Sequence, residues 1–197
     1  MDPVLTAEQE RDLAAEAAAE HAQHRFAPVI YQGNQWDLSH LDPFAFHRDP
    51  NIGVRLEVVV IFSCHCFTHG VDKDARSPIP AAELFQSDGE VRVLNPERYA
   101  LSATLLLPLI NELGQRHIVV AAPGDNYVTF ERTTAAGDVE HYGVFFTVSK
   151  ARNRKNRLIL RVQSAYLRQL SARQKHAKKV RFDTLLRAAH EGRKIKP

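Results

Sequence analysis

Apolar and polar positions change rhythm several times along this chain, and each change marks an element. Thr6 and Gln9 form a capping-box pair ahead of Ala-rich sequence, which predicts a helix to about His24, ended by Pro28. Its apolar stripe is mostly Ala and buries little, so the helix is expected at the periphery or docked on a partner protein. Residues 29–53 show no period. Gly33-Asn34, Asp42-Pro43, Asp49-Pro50 and Asn51 to Gly53 read as turns, with Tyr31, Trp36, Phe44 and Phe46 anchoring the segment. Val54 to Phe67 is β-branched and almost continuously apolar at 58–62, which predicts a long central strand covered on both faces. Residues 70–94 turn polar, with a short helix expected over Pro80 to Phe85.

Helical period returns after Asn95. Asn95 is a cap, Pro96 suits the first helical position, and Glu97 complements the dipole. Leu101, Leu105, Ile110 and Leu113 share a face, and Gly114 closes the helix. Pro108 lies inside it and predicts a kink near residue 104. The period then falls to two. Strands are expected over His117–Ala122, Tyr127–Thr133, His141–Ser149 and Leu158–Tyr166, joined by turns at Pro123-Gly124-Asp125 and Ala136-Gly137-Asp138 and by a basic loop. Beyond Ser171 the chain is basic and helix-compatible up to Lys178. Val180, Phe182, Leu185 and Leu186 give this tail an apolar foothold, so it should dock.

These elements predict an α+β fold: an antiparallel meander with the kinked helix on one face, an N-terminal helix and a basic C-terminal extension. The corresponding divisions are 1–28, 29–170 and 171–197. At 197 residues, with 44% hydrophobic and 25% charged residues, the chain suits one well-buried domain, so most of it should fold. No apolar run reaches the ~20 residues a bilayer requires, and the acidic, Ala-rich N-terminus does not read as a secretory signal. A cytoplasmic protein with no membrane association is expected. Cys64 and Cys66, on one strand face about 6.5–7 Å apart, are poorly placed for a disulfide, which fits a reducing compartment.

Charge changes the picture more than composition does. Lys150 to Pro197 holds sixteen Lys and Arg against two acids, a net +14, while Met1 to Ser149 holds ten against twenty-one, a net −11. A basic segment of this kind meets a polyanion or folds back on its own acidic surface. Lys150, Arg152, Arg154, Lys155 and Arg157 crowd one loop, and Arg161 follows on the next strand. These six are the expected nucleic-acid contacts, RNA being favoured over DNA, with intramolecular ion pairs as the rival.

Chemically capable side chains are densest at Ser63-Cys64-His65-Cys66-Phe67-Thr68-His69. Cys64, Cys66 and His69 supply three donors, but structural zinc usually takes four, and no second Cys/His pair follows. The cysteines are therefore expected in the core, with no metal and no cofactor assigned. His65 would face away from them. On the last predicted strand, Leu158, Leu160 and Val162 form an apolar face that Ser164 and Tyr166 continue. Tyr166 is read as a proton donor or acceptor, or as a cap on the core with its hydroxyl in solvent. Phosphate-cradling Gly-rich loops, the Gly-x-Ser-x-Gly elbow and His-Glu-x-x-His are missing, so nucleotide-dependent, hydrolase-elbow and zincin chemistries have no support.

His-Cys-Phe-Thr at 65–68, Glu-Arg-Tyr-x-Leu-Ser at 97–102, Phe-Phe-Thr-Val-Ser-Lys at 145–150 and Gln-Ser-Ala-Tyr-Leu-Arg at 163–168 resemble a group of uncharacterised bacterial proteins often found near mobile elements. These end in a Lys-Arg-rich Phe-x-x-Leu-Leu stretch, as Arg181 to Leu186 does here. The resemblance covers roughly residues 36–196 and implies a bacterial cytosolic protein without an activity. A helix followed by a four-stranded meander is similar in layout to barnase, EndoU and RelE-like ribonucleases, and Ser164-Ala165-Tyr166 resembles the Thr-Ala-Tyr stretch of EndoU-like members. That likeness implies a metal-independent, toxin-like endoribonuclease with His65 and Tyr166 as the acid–base pair and Lys150 and Arg98 as phosphate stabilisers. The alternatives are a non-catalytic module binding nucleic acid or a partner, and a structural or regulatory protein whose tail neutralises its own body.

Overall fold

Period-two alternation produces the strands it predicts, and they assemble into a sheet larger than the meander. The computed structural model describes residues 6–122, 125–133, 139–152, 154–168 and 178–195. β8 (His117–Ala122), β9 (Asp125–Thr133), β10 (Val139–Lys150) and β11 (Arg157–Arg168) pair antiparallel in sequence order. β11 then pairs in parallel with β4 (Leu56–Phe62), which pairs antiparallel with β3 (Phe44–Arg48). At the other edge β12 (Lys179–Arg181) joins β8, giving a seven-stranded sheet. The fold is α+β, as expected, with one parallel pair inside an otherwise antiparallel sheet.

β4 is covered on both faces, as its continuous apolar run predicts. Val58, Val60 and Phe62 enter the main core, while Val59 and Ile61 pack on the opposite face with Ala17. Ala17 belongs to α1 (Ala7–Ala19), whose Thr6–Gln9 capping box forms as expected. The α-helix stops at Ala19, and a 3₁₀ turn spans Ala22–His24. Small side chains let α1 lie close over β3 and β4, so its Ala stripe is a packing surface of this chain. Covering Val59 and Ile61 secures ~1.5–3 kcal/mol for each fully buried side chain.

The second helical region also forms. The Asn95 side chain accepts from the Arg98 amide at 2.8 Å and caps α2 (Pro96–Leu101), a contact of about 1 kcal/mol. A π-helical turn over Ser102–Leu106 connects it to α3 (Leu107–Asn111). That turn is the predicted disturbance near residue 104: Pro108 has no N–H to offer the Thr104 carbonyl, and the ladder widens to pass it.

Several short elements differ from expectation. Residues 29–53 hold the hairpin of β1 (Val29–Tyr31) and β2 (Asn34–Trp36) as well as β3. Residues 68–94 hold a three-stranded sheet of β5 (Thr68–Gly70), β6 (Leu84–Ser87) and β7 (Glu90–Leu94), in the order β5-β7-β6. Each hairpin turns on two residues of positive φ, Gln32-Gly33 and Asp88-Gly89, as a two-residue type I′ turn requires. The expected short helix at Pro80–Phe85 is a single 3₁₀ turn, Ala81–Glu83.

Part of the basic extension belongs to the core. β12 edges the sheet, and α4 (Phe182–His190) buries Phe182, Leu185, Leu186 and Ala188. Arg48 reaches across to grip Asp183 through Nε at 2.7 Å and Nη2 at 3.0 Å. Residues 171–177 and 196–197 of that extension, the first including most of its helix-compatible stretch, lie outside the described residues. Among the described residues, no helix is long and apolar enough to cross a membrane.

Candidate functional site

The long first strand ends early, and that ending builds the site. β4 stops at Phe62, and Cys64–Cys66 form a 3₁₀ turn whose cap is Ser63, its hydroxyl accepting from the His65 amide at 3.2 Å. Ser63 Oγ donates to the Gln163 carbonyl at 2.5 Å, tying the turn to β11. The strand-face placement of Cys64, His65 and Cys66 therefore does not hold. Both cysteines are buried and free, as expected of core residues. Burial pushes the Cys66 thiol up to about 12 and raises that of Cys64. His69 is turned to structural use: Nδ1 faces Asn95 Nδ2 at 2.9 Å and Nε2 faces Asp74 Oδ2 at 3.2 Å.

β11 carries the second departure. A β-bulge lies where Phe145 pairs with Ser164 but Phe146 pairs with Val162. Skipping Gln163 exchanges the faces, because a one-residue slip reverses every later side chain. Ala165 is fully buried with the core, while Tyr166 emerges on the opposite face beside Phe145, ring centroids 5.4 Å apart and 18° from parallel. Tyr166 thus does not continue the face of Leu158, Leu160 and Val162.

Arg98 joins these two elements from the first turn of α2. Its Nη1 donates to the carbonyls of His65 at 3.1 Å and Thr68 at 2.8 Å, and its Cζ lies 4.7 Å from the Tyr166 ring centre. Among the described residues no carboxylate pairs with it. Burial lowers its pKa, with the charge of Arg92 adding to the effect, yet a guanidinium stays protonated at neutral pH. Arg92 comes from β7 and was missed in the sequence. Its Nε donates to Thr68 Oγ1 at 2.8 Å and its Nη1 lies 3.2 Å from Glu90 Oε2. The Asp88-Gly89 pair is the signal that could have placed this hairpin.

His65 completes the cluster. Its Nε2 lies 3.2 Å from Glu90 Oε2. Burial lowers its pKa, Arg92 and Arg98 push the same way, and Glu90 opposes them. The neutral ring then donates Nε2–H to a carboxylate that can only accept, which leaves Nδ1 as a proton acceptor. A neutral imidazole, two guanidiniums and a phenol therefore share one end of the parallel β4–β11 pair. Ligands of sheets with parallel strands commonly bind beyond such carboxyl ends.

Lys150 does not join them. Gly143 is the register partner of Tyr166, and Lys150 lies about 23 Å farther along β10 at ~3.3 Å per residue. Its Nζ approaches the His190 carbonyl at 3.4 Å, at the C-terminal end of α4, beside a cleft of about 260 Å³. The basic loop is divided as well. Arg157 is 5% exposed and bonded to Glu57 and Glu20, so it faces inward and presents nothing to a phosphate. Burial opposes its charge, but the two carboxylates outweigh this and raise its pKa. Arg154 binds Glu20 at 2.7 Å and approaches Glu16 at 3.8 Å. Lys150, Arg152 and Lys155 remain exposed, and Arg161 is partly exposed.

No curated protein and no solved structure gives a significant match to this chain. The profile of the YjaZ family matches residues 28–190, which take in the whole sheet and every residue of the cluster, and the chain belongs to the YjaZ family.

Proposed function

We propose that this chain is a cytoplasmic, metal-independent endoribonuclease whose reaction centre is the His65–Arg98–Tyr166 cluster. The observation that carries this reading is Arg98, a partly buried guanidinium without a carboxylate partner among the described residues, held between the backbone carbonyl of His65 and the ring of Tyr166. A cation in that position favours an anionic ligand, and a phosphodiester supplies one.

In such a reaction the 2′-hydroxyl of RNA attacks the adjacent phosphorus and the 5′-oxygen leaves. His65 Nδ1 takes the hydroxyl proton while Glu90 holds the tautomer. Arg98 and Arg92 stabilise the charge that develops on the phosphoryl oxygens. Tyr166 delivers the proton to the leaving oxygen. Lys150, Arg152 and Lys155 would contact the backbone outside this centre.

Incubating the chain with end-labelled RNA in excess EDTA, beside DNA of the same sequence, tests the proposal. RNA should be cut and DNA spared, because DNA lacks the nucleophile. His65→Ala and Tyr166→Phe should each lower the cleavage rate by about 10²–10⁴ while RNA is still bound. Cleavage unchanged in both variants would remove these assignments. Salt-dependent binding with no turnover in the unaltered chain would replace the enzyme with the non-catalytic module.

A further inference from the structure

The cleft beside Lys150 is built where the end of β10 meets α4. Val148 and Lys150 alternate with Ser149, so both project toward the face that α4 covers. On α4 the residues lining the cleft are Leu185, Ala188 and Ala189, whose spacing keeps them on one side of the helix. The two alanines are short, and the cleft of about 260 Å³ opens over them.

The chain beyond α4 supplies a further wall. The helix ends in a Schellman turn: the Arg193 amide donates to the Ala188 carbonyl at 2.8 Å and the Gly192 amide to the Ala189 carbonyl at 3.1 Å, with Gly192 at φ +70°. This turn brings Ile195 back against the core, where it lines the cleft. Val148, Leu185, Ala188, Ala189 and Ile195 make an aliphatic wall, and none of the described residues lining the cleft is aromatic.

The rim is cationic. Lys150, Arg193 and Lys194 are all exposed there. Arg193 is matched by Glu191, whereas among the described residues no carboxylate pairs with Lys150 or Lys194. An ammonium has three N–H donors, and Lys150 directs one at the His190 carbonyl, 3.4 Å away, which leaves two. The Schellman amides and Lys150 together engage the last carbonyls of α4, and this blunts the negative end of the helix toward an anion.

We propose that this cleft binds a short aliphatic carboxylate, its chain on the aliphatic wall and its head group at Lys150 and Lys194. A wall without rings favours a saturated chain over a nucleobase, and cations at the rim favour an acid over an alcohol. The volume lies just below the ~300–1,000 Å³ usual for small-molecule sites, so the chain is short. The site is a strand's length from the His65–Arg98–Tyr166 cluster and does not depend on the ribonuclease reading.

The test titrates the full chain with octanoate, which stays monomeric at millimolar concentration, by isothermal titration calorimetry. One octanoate should bind per chain. Hexanoate should bind about fifteenfold more weakly, because each buried methylene contributes about fourfold. Octanol and inorganic phosphate each keep one half of the chemistry, and both should bind weaker than octanoate by about tenfold or more. Lys194→Glu, at an exposed position, should weaken octanoate about tenfold and leave octanol unchanged. Ala189→Leu keeps a strong helix former and fills the cleft, so it should abolish binding. Octanol or phosphate binding as tightly as octanoate, or no saturation at millimolar octanoate, would overturn the proposal. Unaltered affinity in Lys194→Glu would overturn it as well, whatever Ala189→Leu does to the fold.

Discussion

Replacing Arg157 with Met removes the cation from the junction where α1, β4 and β11 meet. The Arg157 side chain is 6% exposed and that of Glu57 15%, so the bond between them is largely shielded from water. Deleting one member of a buried pair leaves the other charged without a partner, at a cost of ~3–5 kcal/mol. Glu57 keeps some access to solvent, which places the expected loss near the lower limit, about 3 kcal/mol. With a urea slope near ~2 kcal/mol/M, the unfolding midpoint should fall by about 1.5 M. Arg154→Met offers the control. Arg154 is 53% exposed, and its contacts with Glu16 and Glu20 should contribute only ~0–1 kcal/mol. Combining Arg157→Met with Glu57→Leu removes both buried charges and should restore most of the loss. Urea denaturation followed by far-ultraviolet circular dichroism measures all four proteins. A loss below about 1 kcal/mol in Arg157→Met, or no recovery in the double variant, would refute the view that this arginine is a structural ion-pair centre.

Gly114→Ala should destabilise by about 1–3 kcal/mol, because its Cβ would lie 2.9 Å from Arg48 Nη1 and 3.1 Å from Cζ, and Arg48 is held by Asp183. In an Arg48→Met background the same change should cost much less, as a double-mutant cycle would show. Gly89→Ala forces a side chain into φ +79° at the turn that delivers Glu90 and Arg92, so stability and RNA cleavage should both fall, the first by more than ~1 kcal/mol. His65 must be neutral to act as a base and its pKa is lowered, so kcat/KM should hold through neutral pH and decline only below the ordinary histidine value of ~6.5. The pKa of half-buried His40, lowered by burial, carries a matching stability effect. It is fully present above the unfolded value and lost as pH falls through the folded one, visible as a falling unfolding midpoint in acid. Cys66 should resist iodoacetamide at pH 8 in the native chain and react on unfolding, since burial holds its thiol at about 12.

Elements written in local chemistry were legible before the structure. Asn95, Pro96 and the apolar stripe lie within a few turns of one another, and they specify a helix whatever surrounds it. Pro108 announces its own disturbance by lacking an N–H. The four strands from His117 to Arg168 alternate and are separated by turn residues. What escaped notice depends on distant partners. β3 is defined by pairing with β4, and the parallel β4–β11 contact joins Val58 to Leu158, with no local mark on either segment. Asp88-Gly89 is a readable hairpin signal in a stretch whose polar composition hides its strands.

The candidate site shows the same division more sharply. His65, Arg98 and Tyr166 were chosen as chemical types, and Arg98 touches the His65 carbonyl and the Tyr166 ring for reasons other than alternation along a strand. His65 turns out of the sheet because Ser63 caps a 3₁₀ turn. Tyr166 reaches Arg98 because a bulge reverses its face, which no count of alternating residues reveals. Lys150 fails for the opposite reason: it is near Tyr166 in the chain and a strand's length away in space.

The charge split acquires a different meaning from the same geometry. Two of the five cations in the basic loop are balanced by Glu16, Glu20 and Glu57, carboxylates more than 90 positions earlier in the chain. These pairs fasten the C-terminal end of α1 to β4 and to the start of β11. Folding back on the acidic body therefore accounts for Arg154 and Arg157. Arg154 and Arg157 hold α1 in place at the start of β11, while Lys150, Arg152 and Lys155 stay exposed. Loosening α1 through Arg157→Met should accordingly leave RNA affinity at the proposed His65–Arg98–Tyr166 centre close to unchanged while stability falls. A parallel loss of affinity and stability would mean that the loop itself carries the binding.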